Sequence, residues 1–170
     1  MRLFYRPTWR DVALSLALAP AALAVSAVVA IALSSVSATA GNPAIEALAH
    51  SPTHQTAAVL ASVPPQLLGE ELITVVVLLA SIAALLRLGA SRRASIVGGW
   101  LISAVVFGAL HLPTYQWHVL QVILVIGSSR LVLSLPYLWT RNVWVSTLTH
   151  VTLDGSIIAF ALVVGALSAR

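Results

Sequence analysis

Long apolar runs separated by short polar connectors dominate this chain, and neither a sustained period of two nor a one-sided helical stripe stands out. Five runs reach or approach the roughly 20 residues that a helix needs to cross the hydrocarbon core of a bilayer. They cover residues 12–34, 67–87, 94–112, 118–138 and 143–167. The pattern predicts an all-α, polytopic transmembrane bundle of about five helices, with residues 1–170 forming one domain. Residues 39–55, rich in Ala, Pro, Ser and His without a clear period, read as a loop, and His50 and His54 within it read as solvated. No internal repeat, low-complexity tract or second domain is visible.

Composition agrees. The chain is 59% hydrophobic and 8% charged, far more apolar than a soluble core requires. All of its basic residues are Arg, and their placement carries information. Arg2, Arg6 and Arg10 precede the first run, Arg87, Arg92 and Arg93 separate the second from the third, and Arg141 separates the fourth from the fifth. The other two connectors, 35–66 and 113–117, have no basic residue. The positive-inside rule therefore puts the N-terminus in the cytoplasm and makes the bilayer itself a partner. Arg residues spread over connectors are topology signals and not a nucleic-acid footprint. Tyr5, Trp9, Trp100, Trp139 and Trp144 near the inner ends, and Tyr115 and Trp117 near an outer end, fit interfacial belts. The first run also competes as a secretory signal, because Arg residues lead it and "SATAG" at 37–41 resembles a cleavage site. Its length exceeds an h-region of about 7–15 residues, which favours an uncleaved span. Without Cys, disulfide and thiolate chemistry are excluded. Abundant Ala and absent Lys associate the chain with a GC-rich bacterium, and so with a bacterial plasma membrane.

Within the runs lie Glu70, Glu71, His111, Arg130, His150 and Asp154. Each ionisable side chain at a helix centre costs on the order of 2.5–3.5 kcal/mol on insertion scales, so each needs a partner or a wet cavity. Together they imply one polar site inside the bundle. His150 and Asp154 are at i and i+4, one turn apart on one face, and Phe107 and His111 share a face in the same way. Glu70 and Glu71 point about 100° apart, so one can face the site while the other faces a neighbouring helix. His118, at a span end, reads as interfacial. Asp154 before Gly155 also fits a kink.

The ordered set "EE" at 70–71, "FGALH" at 107–111 and "HVTLD" at 150–154 resembles the motifs EExxxR, FxxxH and HxxxN or HxxxD of the CAAX-protease and bacteriocin-processing intramembrane proteases. The resemblance covers about residues 65–160, a motif-bearing core. It implies an endopeptidase acting on a peptide or protein substrate with a membrane-associated segment. Glu70 would be general base on a water, His111 would bind or orient that water, and His150 with Asp154 would stabilise the oxyanion. A carboxylate base in a lipid-shielded pocket suits that chemistry without the resemblance. The family's associations run from prenylated substrates to bacteriocin immunity, and it is often labelled a metalloprotease.

Two departures matter. Val75 stands where EExxxR has Arg, leaving Glu71 without its usual partner; Arg130, otherwise unexplained, is the candidate replacement. Asp154 stands where many relatives have Asn, and an ionised carboxylate cannot donate to an oxyanion. It would be protonated, orient His150, or bind a cation. The resemblance favours a glutamate mechanism without cofactor, with zinc on Glu70, His111, His150 and Asp154 as the alternative. Straight helices within the predicted boundaries would also separate His150 from Glu70 and His111 in depth. A second span that begins before "VPPQ" and kinks at Pro64 and Pro65 would reduce that mismatch. The competing readings are a non-catalytic immunity or scaffold protein of the same fold and a proton-coupled carrier.

Overall fold

A computed structural model describes residues 3–49 and 51–168, which excludes Arg2, His50 and Arg170. Its described residues form helices and turns: α1 (Trp9–Ser34), α2 (Pro43–Ala49), α3 (Thr53–Arg87), α4 (Arg92–Leu110), α5 (Val119–Gln121), α6 (Gly127–Thr140) and α7 (Val143–Ser168). A π-helical turn, Val122–Ile126, joins α5 to α6. Five spans are long and apolar enough to cross a membrane: α1, α3, α4, the joined α5–α6 and α7.

Local chemistry explains where α1 begins. Thr8 accepts from the Asp11 N–H through its hydroxyl at 3.3 Å, while the Asp11 carboxylate accepts from the Thr8 N–H at 2.7 Å. This capping box starts the helix at Trp9, a turn ahead of the hydropathic boundary. The helix packs on α6 and α7 through the small residues Ser15, Ala19 and Ala22. The Ser15 hydroxyl donates across to the Val145 carbonyl at 3.0 Å. Small residues at such crossings let backbones approach where hydrophobicity alone gives no preference over lipid.

The largest correction concerns α3. Residues 39–55 contain α2 and the start of α3, and the second span begins at Thr53, well before residue 67. Ala57, Ala58 and Ala61 are strong helix formers, and the helix runs through Pro64 and Pro65, whose missing donors a membrane helix tolerates. Glu70 consequently lies mid-helix, about 25 Å along the axis from Thr53. His54 is exposed.

The fourth span also departs from expectation, because the π turn interrupts it. There the Gly127 N–H donates to the Val122 carbonyl, five residues back. That carbonyl faces α4, where a Cβ on Gly108 would lie 2.3 Å from it. Gly108→Ala is therefore expected to force backbone apart and to cost about 1–3 kcal/mol. Thermal unfolding in detergent measures this as a lowered midpoint, and an unchanged midpoint would contradict the close approach.

Two ties set the ends of the bundle. At one, Asn142 donates from its side chain to the Tyr5 carbonyl at 2.9 Å, the Val143 N–H donates to the Leu3 carbonyl at 2.9 Å, and the Tyr5 hydroxyl donates to the Thr140 carbonyl. At the other, the Gln121 amide bonds both the N–H and the carbonyl of Ala40, at 2.9 and 2.8 Å. Trp9, Trp117, Trp139 and Trp144 are exposed. Trp100 is not: its indole N–H donates to the Leu131 carbonyl at 3.0 Å and ties α4 to α6. α7 continues without interruption past Asp154 and Gly155.

Candidate active site

The adjacent glutamates of α3 meet different environments. Glu71 is fully buried, and its carboxylate receives both terminal nitrogens of Arg130 from α6, one at 2.8 Å and the other shorter. Arg130 is itself 1% exposed. The fork-to-fork geometry is the strongest form of such a pair. It brings together the two residues that Val75 left unmatched. Glu71 Oε1 also lies 3.0 Å from Nδ1 of His150 on α7. One turn of α3 thus binds side chains from two other helices.

Glu70 points elsewhere. Partly exposed, it lines a cavity of about 620 Å³ with His111, His150 and Asp154. Its Oε1 accepts from the Gln66 amide at 3.0 Å. Gln66, one turn before Glu70, is a site residue the sequence reading missed, because it was assigned to the preceding loop. The cavity is also lined by Asn42, Ala44 and Ile45 around α2 and by Thr114 and Tyr115 after α4. Burial pushes the Tyr115 phenol above its ordinary range, opposed by a hydrogen bond with the Asn42 side chain and reinforced by the Asp154 charge.

His111 sits just past the end of α4 and not inside the helix as expected. Its Nδ1 is 2.8 Å from the Phe107 carbonyl. Since a carbonyl only accepts, Nδ1 carries the hydrogen and neutral His111 has its lone pair on Nε2. The same logic applies to His150, where the ion-paired Glu71 carboxylate accepts from Nδ1. The Nε2 of His150 lies 3.9 Å from Asp154 Oδ1, beyond direct hydrogen bonding.

Phe107 has a defined role in this packing. Its ring centroid is 4.6 Å from that of His111 and 6.0 Å from that of His150, and the Arg130 guanidinium carbon lies 4.9 Å from it. A buried aromatic face is one of few apolar surfaces that attracts a guanidinium. The depth mismatch expected from straight, short spans is absent, because the long α3 carries its glutamates down to the level of His150.

Among the described residues, no group of three His, Cys, Asp or Glu side chains is placed to hold a metal ion. What converges is an open carboxylate, two imidazoles with Nδ1 already bound, and a second carboxylate near one of them. Such a set can take a proton from water and offer donors or acceptors to a polarised carbonyl.

No curated protein and no solved structure gives a significant match to this chain. One protein family does, and its match runs from Ser51, just before α3, through Ser156 on α7, taking in every residue of the cavity that carries an ionisable group. Covering residues 51–156, more than half of the chain, it places this protein in the type II CAAX prenyl endopeptidase Rce1-like family.

Proposed function

We propose that this membrane protein is an intramembrane endopeptidase that cleaves a peptide bond of a membrane-associated substrate with a water activated by Glu70. The observation that carries the reading is the division of labour between neighbours. Glu71 is neutralised by Arg130, whereas Glu70 faces the cavity with no basic partner among the described residues. Glu70 takes a proton from the water, whose second hydrogen has an acceptor in the lone pair on His111 Nε2. The water oxygen bonds to the carbonyl carbon and the carbonyl becomes an oxyanion. The proton then passes from Glu70 to the amide nitrogen as the C–N bond breaks, leaving an amine and a carboxylic acid, whose remaining hydroxyl proton passes to Glu70 or to water to give the carboxylate.

His150 differs here from the simplest expectation. With Nδ1–H directed at Glu71, its Nε2 donates to an oxyanion only as the imidazolium. Asp154 needs no proton of its own to help, because as a carboxylate near Nε2 it balances that charge. By the positive-inside rule the Arg-bearing ends of the spans face the cytoplasm, and the cavity, beneath α2 and Tyr115, opens towards the opposite side.

The test is cleavage of a library of membrane-anchored peptides by purified protein in vesicles, with products identified by mass spectrometry, with and without chelator. Cleavage that survives chelation and disappears in His111→Ala is the expected result. Loss on chelation would replace the glutamate mechanism with a metal-dependent one, and absence of cleavage would favour the non-catalytic scaffold.

A further inference from the structure

We infer that Arg130, on the fourth span, is the positioning residue of the site: through Glu71 it holds the His150 ring with Nε2 towards the cavity. The inference rests on the endopeptidase reading for its kinetic consequence and on geometry alone for its structural one.

Glu71 could have been neutralised from its own helix. Residue 75, one turn later on the same face, is Val, 2% exposed and packed with Leu78, Tyr137 and Val143. The cation comes from α6, and it takes both carboxylate oxygens. A carboxylate held by two parallel bonds cannot rotate, so the oxygen it shows to His150 is fixed. The 3.0 Å contact with Nδ1 then holds a hydrogen on Nδ1 and fixes the ring's angle. The Phe107 ring, beside Arg130 and both histidines, holds the assembly laterally.

The environment of α6 explains why Arg130 can reach. Arg130 lies on the broad buried side of the helix with Ser129, Leu133, Ser134 and Tyr137, so its guanidinium is directed into the bundle and not to lipid. The π turn that precedes it seats the Val122 carbonyl against Gly108, the residue after Phe107, which brings this span close to the helix that carries the Phe107 ring.

Arg130→Lys is the discriminating variant, since it keeps the charge and removes the fork. Two readouts apply: kcat and KM on a cleaved membrane peptide, and the ring ¹⁵N signals of His150 in histidine-labelled protein. We expect kcat to fall roughly 10- to 100-fold with KM little changed, the usual size of an orientation defect. The His150 Nδ1 signal, one hydrogen-bonded N–H in the parent, should give way to more than one ring environment. Glu71→Gln/Arg130→Gln removes both charges, so no lone ion is buried, and should show the same two changes. Parental kcat, or a parental His150 spectrum, in both folded variants overturns the inference. Glu70→Gln run in parallel separates the two readings. If it cleaves like the parent, the proposed chemistry fails, and the spectroscopic arm alone decides the positioning.

Discussion

Glu70→Gln is expected to lower kcat and kcat/KM together by about 10²- to 10⁴-fold, the usual contribution of a positioned general base. Equal losses in both parameters mark an interaction made in the transition state and not in substrate binding. Stability should change little, because Glu70 is partly exposed and its one side-chain hydrogen bond, from Gln66, can be accepted equally by a Gln carbonyl. The neighbouring Glu71→Gln should behave in the opposite order. It leaves Arg130 buried beside a neutral amide, so folded yield and melting temperature fall first, and activity falls with them. Steady-state kinetics beside thermal unfolding distinguishes the two. A Glu70→Gln protein with parental kcat, or one that fails to fold while Glu71→Gln folds normally, would reverse the assignment of the pair.

Arg130→Met is expected to have the largest effect on stability. Removing one partner of a buried ion pair leaves the other charged and unpaired, at about 3–5 kcal/mol. The pair itself is not a comparable source of stability, since desolvation offsets most of its attraction. Arg130→Met/Glu71→Gln should therefore recover much of the folded yield that Arg130→Met loses. A double-mutant cycle on thermal or denaturant unfolding in detergent reads this directly, and the coupling should exceed about 1 kcal/mol. Strictly additive losses would mean that the two side chains do not share a contact. Recovery of folding without recovery of cleavage would separate the structural part of the pair from its orienting part.

These predictions depend on features of unequal visibility in the sequence. The ion pair was accessible through the resemblance: Val75 left Glu71 without the cation that EExxxR supplies one turn away, and Arg130 was the cation within a span still to be assigned. Gln66 was inaccessible once residues 39–55 had been read as a loop and the second span started at residue 67. The two adjacent prolines, expected to kink a longer span, lie inside α3, as a helix in lipid allows. The π turn was inaccessible too, because a run this uniformly apolar carries no mark of an extra residue in one turn.

What the sequence determined by itself is the class of molecule and which ionisable residues had to be accommodated inside it. Apolar runs of spanning length leave a backbone no alternative to helices in lipid, and ionisable residues within them must find one another or water. What only the tertiary structure decided is that Arg130 grips Glu71 with both terminal nitrogens, which nitrogen of each imidazole is committed, and how far down α3 the site lies. Those outcomes depend on helix register and rotation relative to other helices. They are set by close backbone contacts such as Gly108 on Val122 and by a bidentate bond between residues 59 positions apart, and no local pattern along the chain encodes such a relation.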